Sequence, residues 1–190
     1  MDVRRLFFRF RSYTPIPLIV LALIFARPSW WSFGAGLGMM LFGEVLRFWG
    51  VAFAGSATRT TGQAGGDRLI TDGPFGYVRN PLYLGNFFLS FGYLVMTWAW
   101  MPWMLVVLTG FFGLQYGFIV HLEEEYLSKR FGSEYDHYRR SVRRWIPRLF
   151  PYPASQKSLP RWGKALRSER NTLQAIVAVT ALLVVRWHVL

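Results

Sequence analysis

The sequence predicts an all-α protein, a polytopic membrane helix bundle with about five transmembrane helices. Its 190 residues are 53% hydrophobic, and the apolar residues come in blocks too long for a soluble core. Tryptophan rings stand near the ends of these blocks, as they do at membrane interfaces. Basic residues are concentrated in some connections and rare in others, which is typical of an oriented membrane protein. The tryptophans are Trp30, Trp31, Trp98, Trp100, Trp103 and Trp187.

Five apolar segments approach the roughly 20 residues needed to cross a bilayer. The first follows a basic N-terminus that superficially resembles a signal peptide, but no Ala-x-Ala-type cleavage site follows, so we expect a retained span. A polar connection over 56–73 separates the second segment from the third. The segments run over 15–26, with Leu6 as an alternative start, and over 30–54, 82–100, 103–121 and 172–190.

The basic residues give this topology an orientation. Nineteen of the 22 lysines and arginines fall on one face, which the positive-inside rule makes cytoplasmic. The N-terminus is therefore predicted inside and the C-terminus outside. The basic residues border apolar spans and form no separate basic domain, so membrane orientation explains the net charge of +12. We therefore expect no nucleic-acid partner. With no cysteine and three dispersed histidines, we expect no metal site.

We predict a single membrane domain over 1–190. Its parts are the first two spans (1–55), a cytoplasmic loop (56–81), a helical hairpin (82–121), a cytoplasmic segment (122–170) and the last span (171–190).

The hairpin brings two polar stretches to the same depth. Its turn is only Met101–Trp103, so the two helices are antiparallel. Tyr83 is 18 residues before Met101 and Glu123 is 21 residues after Pro102, which places both ~27–32 Å from the turn. The stretch GPFGYVRNPLYLGN, residues 73–86, therefore lies level with HLEEEYLSKRFGSEYDHYRR at the cytoplasmic border.

The first polar stretch has the residue types of a ligand site. Pro81 begins the third helix and keeps Asn80 out of it, which leaves backbone N–H groups to face an anion. Gly73 and Gly76 permit turns and the close approach of a ligand. Arg79 is suited to pair with a carboxylate, although a capped turn with Arg79 reaching for lipid phosphate is the alternative. The rings that could stack on a flat ligand are Phe75, Tyr77 and Tyr83.

The second polar stretch begins with three glutamates at the mouth of the bundle, where unpaired charge is costly. A solvated helix end, with Glu125 and Lys129 paired at i,i+4, is one explanation. Successive helical residues point about 100° apart, so Glu123 or Glu124 should turn inward and could hold a cationic group.

A charged pair also lies within the second span. Glu44 and Arg47 are spaced i,i+3 and can neutralise each other. Charges inside a span are functional candidates by default, so both are also candidates for substrate binding.

Together, GPFGYVRNPLYLGN and EEEYLSKRFGSEYDHYRRSVRRWIP resemble the integral-membrane methyltransferases that include isoprenylcysteine carboxyl methyltransferase and phospholipid N-methyltransferases. The resemblance covers 44–147, with LRFW at 46–49 as a weaker addition. It implies a helical membrane enzyme that uses S-adenosyl-L-methionine, bound between the third and fourth spans and the segment that follows. It also implies a lipophilic acceptor that enters from the bilayer.

The family loop usually reads Gly-x-Tyr, three residues, Arg-His-Pro, two residues, Gly; here Asn80 replaces the histidine. The resemblance implies catalytic roles for Arg79, Asn80 and Glu124. The implied cofactor-binding residues are Gly73, Phe75, Gly76, Tyr77, Arg79, Asn80, Pro81, Tyr83, Gly85, Glu123 and Glu124. The candidate substrate contacts are Glu44, Arg47, Arg143 and Arg144.

Two other functions stay open beside methyl transfer. One is an NADPH-dependent membrane lipid reductase on a related scaffold, which would prefer NADPH over S-adenosylmethionine in a ligand-stabilisation assay. The other is a non-enzymatic membrane scaffold whose polar cluster anchors lipid. For a methyltransferase, an isoprenoid carboxylate and a phospholipid amine both suit as acceptors.

Overall fold

The computed structural model describes residues 15–55, 68–153 and 158–189, which form six α-helices and no strand. Residues 56–67 of the predicted polar connection over 56–73 lie outside the described residues, as do the N-terminal arginines and the alternative start at Leu6. The helices are α1 (Ile16–Ile24), α2 (Trp30–Ala54), α3 (Pro81–Thr97), α4 (Trp103–Phe131), α5 (Ser133–Ser141) and α6 (Trp162–Val189), with a 3₁₀ turn at Gly73–Gly76.

Within those ranges, three helices are long and apolar enough to cross a membrane: α2, α4 and α6, of 25, 29 and 28 residues. The other two predicted spans are shorter, since α3 has 17 residues and α1 has nine. The all-helical prediction is confirmed, and the count of about five spans stays a prediction.

The helix boundaries follow local sequence. Ser29 caps α2 in a reciprocal capping box with Ser32, and α3 begins at Pro81 as predicted. The last span is predicted over 172–190, and the helix that contains most of it, α6, begins ten residues earlier at Trp162. Its first ten residues, WGKALRSERN, are mostly polar, so hydropathy reveals only the later part of the helix.

Glycines bring α2 and α3 into direct backbone contact along an antiparallel seam. A Cβ on Gly36 would lie 2.4 Å from the Gly92 carbonyl oxygen, and one on Gly43 would lie 2.7 Å from that of Gly85. Small residues at such positions allow membrane helices to approach closely. The seam therefore fixes how deep each residue of α3 lies beside α2.

Helix α6 runs antiparallel to α2 and closes the end of the bundle opposite the polar stretches. The rings of Trp30 and Trp187 lie 4.6 Å apart at that end. Arg186 donates hydrogen bonds of 2.6 Å to the carbonyl oxygens of Ala26 and Ile24, which satisfies acceptors at the end of α1.

The end of the bundle that holds the polar stretches has its own small core. Tyr135 and Tyr138 of α5 are buried with Leu69 and Val142, and they lie beneath the turn that precedes α3. This cluster gives the turn a rigid support.

Candidate functional site

The turn before α3 is held by the chain that follows α5. We call residues 143–152 the clasp, because their backbone pairs with the turn at three places and so satisfies groups that would otherwise lack partners. Sequence analysis did not anticipate this pairing. The three bonds, all 2.9 Å, run from Arg79 N–H to Arg143 O, from Arg148 N–H to Tyr77 O and from Tyr152 N–H to Gly76 O.

Arg79 and Glu124 meet at the centre of the site. Their side chains, each only 12% exposed, form an ion pair of 3.0 Å. Arg144 approaches Glu124 from the clasp, with hydrogen bonds of 2.9 and 2.6 Å that raise the pKa of Arg144. The Tyr83 hydroxyl donates a hydrogen bond to Glu123, the residue before Glu124 on α4. The start of α3 and the acidic end of α4 are thus level, as the hairpin geometry predicts.

The three consecutive glutamates differ in exposure, as expected for successive residues of a helix. Glu123 and Glu124 are half-buried and face the turn, whereas Glu125 is exposed and lies 3.0 Å from His121. Two arginines, Arg79 and Arg144, share the carboxylate of Glu124.

Two tyrosines that sequence analysis missed form the floor of the site. The Tyr138 hydroxyl donates to the Phe75 carbonyl oxygen at 2.7 Å, and Arg79 donates to the Tyr135 hydroxyl at 3.4 Å. Burial raises the pKa of Tyr138 above its usual range, although Arg79 opposes this. Burial also raises the pKa of Tyr135, and the charge of Glu124 adds to the effect. Their i,i+3 spacing in SEYDHYRR was the available signal.

We expect Tyr138→Phe to lower the free energy of unfolding by about 1 kcal/mol at pH 7, because it removes one buried hydrogen bond. Thermal unfolding in detergent measures this loss. The difference should shrink above about pH 10, where an unfolded tyrosine ionises and the buried Tyr138 resists ionisation. A Tyr138→Phe protein as stable as the wild type at pH 7 would contradict the prediction.

The space beside the two loop glycines is filled by the protein itself. Gly73 adopts a φ of +56°, and a Cβ there would lie 2.5 Å from the Phe53 ring. A Cβ on Gly76 would lie 3.2 Å from the Thr71 carbonyl oxygen. The turns expected of these glycines are present, but the close approach is made by protein atoms at both positions. The Tyr77 ring lies 5.9 Å from that of Trp49.

The remaining candidate residues are dispersed around the Arg79–Glu124 pair. Asn80 donates from its side-chain amide to the Arg144 carbonyl oxygen at 3.2 Å, and Pro81 is buried at the start of α3. Gly85 lies on the α2 seam, where a Cβ would be 2.5 Å from Arg47 Cγ. The side chain of Arg143 is exposed.

A second polar cluster lies deeper in the bundle around Arg47. Its Nε and Nη2 donate to Glu169 Oε2 at 3.2 and 2.6 Å, and its Nη1 donates to Asn86 Oδ1. Glu44 is farther away, with 3.7 Å between its carboxylate and Arg47 Nε. The expected pairing of Glu44 with Arg47 is therefore incomplete, because Glu169 of α6 is the principal partner. A glutamate near an apolar segment was the signal that sequence analysis overlooked.

Tyr116 connects the two polar clusters. Asn86 donates to its hydroxyl at 3.0 Å, and its ring lies 4.7 Å from that of Tyr83, the donor to Glu123. Tyr116 also lines a small cleft between α1, α3 and α4, together with Ser90, Gln115 and apolar side chains. A largely apolar recess thus ends at the polar residues.

Comparisons with known proteins indicate the family of this chain. Residues 31–134, which include all but the first residue of α2 together with α3 and α4, match the family model of phospholipid methyltransferases. A Schizosaccharomyces pombe protein, protein-S-isoprenylcysteine O-methyltransferase, is 31% identical over 118 residues, which are 60% of this chain and 48% of that protein. The chain thus matches about half the length of this relative.

A second relative is the nickel-cobalt-cadmium resistance protein NccN of Alcaligenes xylosoxydans xylosoxydans. It is 26% identical over 160 residues, which are 80% of this chain and 70% of that protein. No solved structure matches the chain. Neither the family model nor these relatives support the NADPH-dependent reductase hypothesis. Because the family model covers more than half of the chain, the protein belongs to the phospholipid methyltransferase family.

Proposed function

We propose that the protein transfers a methyl group from S-adenosylmethionine to a lipophilic acceptor at the membrane border. Family membership supports the reaction class. The observation that carries the proposal is the contact between Arg79 and Glu124, which joins two sequence motifs at one depth of the bundle.

The residues around this contact fit the amino-acid portion of the cofactor. The Nε of Arg79 is buried and has no hydrogen-bond partner among the described residues, so a ligand carboxylate would give it an acceptor. Glu123 or Glu124 would hold the cationic amino group, and Phe75 and Tyr77 would enclose the adenosine.

Methyl transfer from S-adenosylmethionine does not need a strong acid or base in the protein. S-adenosylmethionine supplies a methyl group already activated on a positively charged sulfur, so the protein must chiefly align the acceptor and exclude water. Asn80 stands where the family has histidine, and its amide is tied to the Arg144 carbonyl oxygen. Its contribution would be to fix the geometry of the turn beside the reacting groups.

The acceptor would enter sideways from the bilayer. The cleft lined by Tyr116 offers apolar walls for a chain, and Arg143 and Arg144 would contact the lipid headgroup. Helices α1 and α3 would complete a set of five spans, and the distribution of basic residues would place the site and the N-terminus in the cytoplasm. The single domain would comprise the parts predicted from the sequence, with α6 extended to Trp162.

Transfer of a labelled methyl group tests this function. The purified protein, reconstituted in liposomes of a total lipid extract, receives S-adenosylmethionine labelled in its methyl group, and the labelled lipid is identified by mass spectrometry. We expect label in a lipid with wild-type protein and at most trace label with Glu124→Ala. Absence of labelled lipid in a preparation that remains folded would overturn the proposal.

A further inference from the structure

Large apolar side chains are exposed on the clasp and on the short segment that leads into α6. Leu149 and Phe150 of the clasp are 91% and 76% exposed, and Leu159 is 89% exposed. None of the three packs into a hydrophobic cluster of the described residues. Exposed apolar groups that lie close together mark contact surfaces, so the relative position of the two segments matters.

Both segments lie against the same end of α2. In the clasp, Arg148 N–H donates to the Tyr77 carbonyl oxygen, and the Tyr77 ring lies 5.9 Å from that of Trp49. In the segment before α6, Arg161 N–H donates to the Ala52 carbonyl oxygen at 2.8 Å. Trp49 and Ala52 are both in the last two turns of α2. The exposed apolar side chains of the two segments are therefore held at one level of the bundle.

That level is the membrane border. Helix α2 has 25 residues, so at ~1.5 Å per residue it is ~37 Å long, whereas the hydrocarbon core of a bilayer is ~30 Å thick. The last turns of such a helix lie among the lipid headgroups. At this depth apolar side chains reach the acyl chains, and charged side chains on flexible stems meet the headgroups.

The same surface is strongly basic. Residues 139–150 contain five arginines, residues 158–167 contain two arginines and one lysine, and neither range contains an acidic residue. Arg148, Arg161 and Lys164 form no ion pair with any described residue. The Nη1 of Arg148 also has no hydrogen-bond partner among those residues. Cations without acidic partners, set beside exposed apolar groups, fit the headgroups and acyl chains of anionic lipid.

We propose that this surface docks on anionic phospholipid at the membrane border. Its three apolar side chains insert among the acyl chains, and its three cations bind the headgroup phosphates. This lipid is separate from the methyl acceptor, so the inference does not depend on the proposed methyl transfer. The docking surface consists of Leu149, Phe150, Leu159, Arg148, Arg161 and Lys164.

The docked lipid acts on the candidate site through the clasp. The clasp holds the turn before α3 by three backbone hydrogen bonds, and its Arg144 binds Glu124. Lipid held against Leu149 and Phe150 restrains the clasp and, through these bonds, the turn that carries Arg79. The composition of the bilayer thereby influences how firmly the site is held.

A single fluorescent label tests the docking, because the chain contains no cysteine and an introduced one is unique. The full-length Leu149→Cys protein is labelled and placed, one copy per disc, in nanodiscs of phosphatidylcholine alone or mixed with phosphatidylglycerol. Acrylamide, a neutral quencher in the water, measures the exposure of the label. We expect its quenching constant to fall to about half or less when phosphatidylglycerol is present. High salt, ~1 M, should remove the difference.

Two charge variants of the labelled protein separate this surface from the general basic character of the chain. Arg161→Gln combined with Lys164→Gln should remove most of the difference between the two kinds of disc. Lys129→Gln combined with Arg130→Gln is the matched control, because it removes the same charge from exposed positions more than one helical turn beyond Glu124. The control should keep the difference.

Hydrogen exchange tests the restraint of the clasp in the unlabelled wild type. The backbone N–H groups of Arg148 and Tyr152, which donate to the turn, report directly on the clasp. We expect both to exchange more slowly in discs that contain phosphatidylglycerol. Equal exchange in the two kinds of disc would overturn the proposed restraint, and this comparison needs no variant to fold.

The quenching results decide the docking itself. Equal quenching in the two kinds of disc would overturn the proposal. A label accessible in both would leave the surface to a protein partner, and a label shielded in both would remove the role of lipid charge. A difference that survives Arg161→Gln with Lys164→Gln would also overturn the assignment of these cations.

Discussion

Gly36→Val is expected to prevent α2 and α3 from assembling. A Cβ at this position would lie 2.4 Å from both the Gly92 carbonyl oxygen and the Met96 backbone nitrogen. Backbone atoms on a packed helix cannot rotate away as a side chain can, so the helices must separate. The cost should exceed about 3 kcal/mol, the upper part of the range for overpacked cores. Size-exclusion chromatography and thermal unfolding in detergent measure the loss, which corresponds to about 10 °C or to no folded protein.

Gly38→Val is the control for this substitution. It lies on the same helix two residues away and is exposed, with no atom within 4 Å of its Cβ position. Both variants change helix propensity equally, so a difference between their stabilities measures the effect of the substitution on the packing of α2 against α3. Similar stabilities for the two variants would show that α2 and α3 do not pack through Gly36.

Glu124→Ala should weaken cofactor binding strongly and destabilise the fold. It leaves Arg79, which is 12% exposed, beside Arg144 with no carboxylate between them. Removal of one partner from a buried ion pair costs about 3 kcal/mol, part of it from the uncompensated charge that remains. On the proposed function, affinity for S-adenosylmethionine should fall by at least ~100-fold, which corresponds to ~2.8 kcal/mol. Calorimetry and thermal unfolding measure the two effects separately.

Arg79→Ala and Glu125→Ala accompany this experiment. Arg79→Ala should also weaken cofactor binding, because its guanidinium is the proposed carboxylate partner. Glu125→Ala changes an exposed acid one residue along the same helix and should leave both affinity and stability close to those of the wild type. Undiminished affinity in Arg79→Ala and Glu124→Ala together would remove these two residues from the proposed site.

The features of this protein that depend on neighbouring residues or on helical periodicity can be predicted from its sequence. Pro81 predicts the start of α3, and the 100° helical step predicts that Glu125 differs from its two neighbours in exposure. The short joint between α3 and α4 predicts the level at which Tyr83 and Glu123 meet. These inferences succeed because each depends on one helix or one turn.

The contacts that were not predicted connect parts of the chain that are far apart in sequence. The groups that form them belong to no recognisable sequence pattern. The clasp uses backbone atoms, whose pairing no side chain reveals. Glu169 lies in the polar first part of α6, which hydropathy assigns to a connection. Its pairing with Arg47 depends on how α6 lies against α2, and that arrangement is set by the whole bundle.

The pairing of Arg47 with Glu169 has a consequence for how the chain is made. The two residues are 122 positions apart, so at ~5–20 residues per second the ribosome delivers the acid roughly 6 to 25 s after the arginine. During that interval Glu44, one turn away on the same helix, would be the local counterion of Arg47 as α2 enters the bilayer. Arrival of α6 would then supply Glu169 as the principal partner of Arg47, so the charges inside α2 reach their final pairing only after the last helix has been made.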